Sequence, residues 1–159
     1  MHTLVNNAAT TSYSTACRLL DEGQLDEAFM LFGNLNFNEL SADEALGARV
    51  EAIQLAILQE RYEEALAHAE AALLIAEHEP LIHHLAGRAR WQQGDQRTAA
   101  ESFVYAAELL EGLHDEVPPA QYNADPSQVY FMAAEACRAF KQHAEAMNYY
   151  QRAQMYALQ

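Results

Sequence analysis

The chain has 159 residues, about half of them apolar, which suits one domain with a proper core and excludes a disordered tail. Nine basic residues against 23 acidic ones give a net charge of -14. Such a surface repels phosphate backbones and anionic lipid, so neither nucleic acid nor a membrane surface is an expected partner.

The N-terminus, "MHTLVNNAATTSYSTA", shows no basic segment followed by an apolar core, so no secretory signal is expected. Apolar runs are only a few residues long, and nothing reads as a membrane span. Cys17 and Cys137 lie far apart and read as small buried hydrophobes in a reducing compartment.

Along the chain one pattern recurs around four bends, at Gly23, Glu60, Gly94 and Lys141, spaced 37, 34 and 47 residues apart. Five residues past each bend stands alanine: Ala28, Ala65, Ala99 and Ala146. Nine past stand Phe32, Ala69, Phe103 and Tyr150, and twelve past stand Leu35, Ala72, Ala106 and Ala153. Seven before stand Ala16, Ile53, Gly87 and Ala134. At 3.6 residues per turn these positions share one helix stripe, whose small residues let the two helices of a hairpin approach closely. The aromatic then fills the gap toward the next hairpin, and enlarging one of the alanines is expected to cost roughly 1–3 kcal/mol.

Helix boundaries follow in order. Ser41 and Glu44 read as a capping box opening the second repeat. Pro80 suits the first turn of the third, Gly112 suits its end, and Asp125-Pro126-Ser127 opens the fourth. The expected repeats are 9–42, 46–79, 80–113 and 127–159 of a single domain, with a Pro-rich connector over 113–126, "LHDEVPPAQYNADP" from Leu113.

The stretches "LAGRARWQQGDQRTAAESFVYAAELL", "QERYEEALAHAEAALLIAEHEP" and "MAAEACRAFKQHAEAMNYYQRA" resemble the tetratricopeptide repeat. The fold class this implies is all-α, a tetratricopeptide-like right-handed superhelix of stacked helical hairpins whose first helices line a concave groove. The inward positions of that family fall here on Thr10, Tyr13, Cys17 and Leu20, then Gly47, Val50, Gln54 and Ile57. The later repeats place Leu81, His84, Arg88 and Trp91, then Gln128, Phe131, Glu135 and Arg138. Tyr, Val, Ile, Trp and Phe on such a wall form an apolar patch suited to an apolar or amphipathic protein segment. The Lys and Asn cluster with which related repeats grip the terminal carboxylate of heat-shock proteins has no counterpart here.

"VYFMAAEACRAF" and "SFVYAAELL" are further similar to the translocator (class II) chaperones of bacterial type III secretion. That resemblance implies a cytoplasmic, acidic, non-enzymatic protein without cofactor, whose groove shields a hydrophobic secreted client. The usual three repeats of that family become four here, with a long inserted connector. The stretch "YYQRAQMYALQ", with Met155, Tyr156 and Leu158 and no polar helix after it, suggests instead an assembly adaptor or homodimer acting through that end. A regulatory domain sensing a short peptide or small molecule is a further alternative.

Catalytic and metal chemistry find little support. His78, His83 and His84 lack the three- or four-residue helical spacing of a metal pair, and there is no HExxH, paired Cys–His, GxSxG or phosphate loop. Neither cysteine has an evident base beside it.

Overall fold

Four residues hold the key to the architecture, and all four have left-handed backbone: Gly23 (φ 76°), Glu60 (φ 60°), Gly94 (φ 89°) and Lys141 (φ 62°). They are the bends expected from the repeat. Each ends a helix in the same way: its amide bonds the carbonyl three residues back, and the next amide bonds the carbonyl five back, at 2.8–3.0 Å. This is the Schellman motif, which satisfies carbonyls left over at a helix C-terminus. The residue after each bend, Gln24, Arg61, Asp95 or Gln142, then accepts the first hydrogen bond of the following helix from Ala28, Ala65, Ala99 or Ala146. One short hydrogen-bonded device thus closes one helix and sets the register of the next.

The computed structural model describes residues 8–113 and 124–158. Eight α-helices run through them: α1 Ala8–Asp21, α2 Leu25–Gly33, α3 Ala42–Leu58, α4 Tyr62–Leu73, α5 Pro80–Gln92, α6 Gln96–Leu113, α7 Pro126–Ala139 and α8 His143–Ala157. Among the described residues there is no strand, and no helix is long and apolar enough to cross a membrane. The connector expected over 113–126 falls mostly outside the described residues.

Other start signals behave as their chemistry requires. Ser41 and Glu44 exchange side-chain and backbone hydrogen bonds at 3.2 Å in both directions, a capping box for α3. Pro80 and Pro126 occupy the first turns of α5 and α7, capped by the Glu79 and Asp125 carboxylates. Gly112 is different. α6 continues through it to Leu113, so it lies within the last turn rather than beyond it. A glycine closes a helix best by adopting a left-handed backbone, and Gly112 adopts no positive φ.

The chain divides between Ala76 and Glu77 into two compact units. Unit 1 packs α1 on α2, α2 on α3 and α3 on α4; unit 2 packs α5 on α6, α6 on α7 and α7 on α8. Every small residue of the stripe is buried, including Ala16, Ala28, Ala65, Ala72, Ala99 and Ala134 with no exposed surface. Of the many alanines of α4, Ala65, Ala69 and Ala72 are inside, whereas Ala67 and Ala71 face outward or lie part-covered. A close approach occurs at Gly87, where a Cβ would come within 2.8 Å of the Phe103 ring. Phe103 therefore fills the space over its own hairpin partner while also touching Ala136 of the next hairpin. Burial of these aromatics stabilises each unit by roughly 1.5–3 kcal/mol per side chain.

Candidate partner-binding groove

In unit 1 the first helices of the two hairpins bring their expected inward residues together. Thr10 donates to Glu44 at 3.5 Å, and a Cβ on Gly47 would lie 2.8 Å from the Tyr13 hydroxyl. Burial pushes Tyr13 up to about 12, with Cys17, Glu51 and Glu44 adding to the effect. Burial raises Cys17 as well, with the nearby Tyr13 hydroxyl pulling the other way and Glu51 and Asp21 adding to the rise. Glu51, one turn from Gly47 and absent from the expected set, is raised by burial and by Asp21. Leu20, Val50 and Gln54 are part-covered, and Ile57 is buried. This face is a part-covered polar–apolar seam across which Thr10 bonds Glu44.

Unit 2 is arranged differently. His84 and Arg88 of α5, Gln128 and Phe131 of α7, and Tyr150 and Gln154 of α8 border a hollow of about 670 Å³. Met132, Ala153 and Ala157 supply more of its apolar lining, and Phe131 is 48% exposed. That volume falls within the range of ligand-binding clefts. His84 is 4% exposed, packs its ring against Phe103 at 5.7 Å between centroids, and leaves a buried Nδ1 without a hydrogen-bond partner. Burial first, then the Arg88 charge, pull its pKa down to about 4, against a small opposing pull from Asp125. The imidazole is therefore neutral at pH 7.

The other expected residues of this unit have different work. Trp91 has its ring centroid 6.2 Å from that of Phe103, packs half-buried on the cluster of Ala99, Phe103 and Ala136, and is not among the residues bordering this hollow. Leu81 packs on the neighbouring cluster around Tyr130. Glu135 accepts from Arg138 at 2.8 Å and also from the Tyr150 hydroxyl, which holds its carboxyl below the usual carboxylate range. These three side chains form a closed polar set at the edge of the hollow.

The inward register on α7 passes over Ser127 and Met132, and reading only the first helix of each hairpin leaves out Tyr150, Gln154 and Ala157 of α8. Tyr150 carried a signal, as the aromatic nine residues past a bend, but it was expected to fill a gap between hairpins. It instead meets Phe131 edge-on at 6.0 Å and bonds Glu135. A second hollow, of about 420 Å³, lies between α6 and another face of α7, bordered by Val104, Tyr105, Cys137 and Phe140.

No protein-family model matches the chain, and no curated protein does. Solved structures do. The chain superposes on one titled "MamA RS-1 ArsTM double mutant" with a TM-score of 0.72 and 14% identity, over 94% of this chain and 75% of the other. It superposes on another, "Crystal structure of MamA", with a TM-score of 0.71 and 14% identity, over 96% and 80%. At that identity the likeness speaks for the fold, and with the four repeated bends it makes this chain an all-α, tetratricopeptide-like helical repeat.

Proposed function

We infer that the chain is a protein-binding module and that the hollow bordered by α5, α7 and α8 holds an apolar or amphipathic segment of a partner protein. The observation that carries this is Phe131, a large aromatic that lines the hollow and is left 48% exposed among the described residues. Exposed aromatics in concave sites are typical anchors of partner binding, with about 800 Å² buried per partner in a standard interface. The more specific version is a cytoplasmic chaperone for a hydrophobic secreted translocator, supported by the likeness of "VYFMAAEACRAF", which forms α7 and holds Phe131. The test is co-purification from the native host beside a Phe131→Ala variant. A client captured by the wild type and lost from a variant of unchanged helicity supports the reading. Equal capture by both removes it.

A second reading rests on α8. Met147, Met155 and Leu158 are all more than half exposed there. Under this reading the protein assembles through that helix as an adaptor or homodimer, and Met155→Glu changes its sedimentation coefficient while leaving client capture intact.

A further inference from the structure

The hollow of unit 2 combines three features that its apolar lining does not explain. The first is the buried His84 Nδ1 with no hydrogen-bond partner. A buried polar atom left unpaired costs about 1–3 kcal/mol, so such atoms in native proteins usually await a partner or serve a function. The second is Arg88. Among the described residues five arginines pair with a glutamate, Arg49 lies over the Phe37 ring, and Arg90 donates to Ser102. Arg88 has no ion pair or hydrogen bond among the described residues, in a chain where acidic residues outnumber basic ones 23 to 9. Arg88 is exposed at the hollow and, like Arg49 and Arg90, meets no carboxylate among the described residues, but unlike them it has no other partner there either.

The third feature is that, among the described residues, the two carboxylates of α7 and its cap, Asp125 and Glu135, are engaged. Asp125 accepts from the Ser127 amide at 3.0 Å and its hydroxyl at 2.8 Å, as the cap of α7. Glu135 is held by Arg138 and Tyr150. His84 and Arg88 stand one helical turn apart on α5, on the same side, where two donors can meet one acidic group. Nδ1 is closed to solvent as the ring stands, so a turn of the imidazole toward the hollow presents its N–H to one carboxylate oxygen, and the guanidinium takes the other.

We propose that this hollow recognises an internal Glu or Asp side chain flanked by apolar residues in the partner segment, with His84 and Arg88 binding the carboxylate and Phe131 the neighbouring apolar side chain. A side-chain carboxylate fits better than a chain terminus, because only two donors are offered and no Lys or Asn stands with them to complete a terminal clamp. The proposal rests on the groove reading and gives it a chemical specificity. It also explains why a strongly acidic chain keeps one unneutralised cation at an apolar site: the partner supplies the counter-charge.

The test uses the full chain and three tripeptides: acetyl-Leu-Glu-Leu-amide, acetyl-Leu-Gln-Leu-amide, and acetyl-Leu-Leu-Leu with a free carboxyl end. The His84 ring resonances are followed by NMR during titration. Expected is saturable binding of the Glu peptide at least tenfold tighter than the Gln peptide, with displaced His84 signals. Arg88→Gln should erase that preference without lowering Tm. His84→Phe should weaken the Glu peptide while raising Tm, since it removes the unpaired nitrogen. Equal affinity for the Glu and Gln peptides overturns the proposal, as does a preference that survives Arg88→Gln. So does tighter binding of the free-carboxyl peptide, or no saturable binding of the Glu peptide at millimolar concentration. Equal binding of Glu and Gln peptides that is lost in Phe131→Ala leaves the groove reading standing and removes only the acidic specificity.

Discussion

The two units use the same helical register on their inward helices and reach different ends. In unit 1, Thr10 donates to Glu44 across the face, and Tyr13 and Cys17 lie part-covered beside that bond. In unit 2, the equivalent face leaves His84 Nδ1 unpaired and Arg88 without a carboxylate, beside an exposed Phe131. A repeat reproduces positions, not chemistry. What distinguishes a packed seam from a binding surface is whether the polar groups that the register presents find partners at home.

The largest effect expected is on packing, where the units should behave alike. Phe32 and Phe103 occupy the same repeat position, and neither has exposed surface. Phe32→Ala and Phe103→Ala should each cost about 3–5 kcal/mol in urea unfolding. A much smaller loss for either would show that its unit collapses onto the cavity and is less tightly packed than its neighbour.

The next effect should separate the units by pH. His84 is held near 4 by burial, against an ordinary value of 6.5, with Arg88 reinforcing and Asp125 opposing. Its unfolded form takes up a proton first as pH falls, so stability is full above about 6.5 and declines as pH drops toward 4, by roughly 3 kcal/mol in all. His68 in unit 1, lowered by burial and then by Arg49, adds in the same direction. Thermal melts between pH 7 and pH 4 should therefore be markedly flatter for His84→Phe than for the wild type. Parallel curves would mean that His84 is not buried as neutral imidazole.

Smaller still is the contrast between two glycines on inward helices. Gly87→Ala drives a methyl into three atoms of the Phe103 ring and should cost about 1–3 kcal/mol. Gly47→Ala meets only the end of the Tyr13 side chain, which can swing aside. The alanine also gains about 0.5–1 kcal/mol of helix propensity, so the net change should be near zero. At the bends, Glu60→Gly and Lys141→Gly should each raise stability by up to about 1 kcal/mol, because these residues hold φ near 60° at a cost that glycine avoids. No gain at either bend would mean that the side chain returns the strain elsewhere.

Much of the fold was legible before any coordinates. The bends, the alanine stripe, the Ser41–Glu44 box and the two proline starts are statements about residues within a few positions of one another. Hydrogen-bond geometry and steric limits decide those locally. Gly112 was misjudged because glycine permits a helix end without requiring one, and α6 ran on to Leu113. Type and register place Trp91 on the groove wall, and in the structure its half-buried ring packs on Phe103 of the partner helix α6.

Composition and spacing alone thus determined the helical hairpins and which small residues lie between them, since α-helical period and αL bends depend on neighbours in the chain. Tertiary structure alone decided which inward residues remained available. Whether His84 loses its water, whether Arg88 meets a glutamate, and whether Tyr150 turns toward Phe131 depend on helices dozens of residues apart. Burial and pairing between such helices are not encoded in any short stretch.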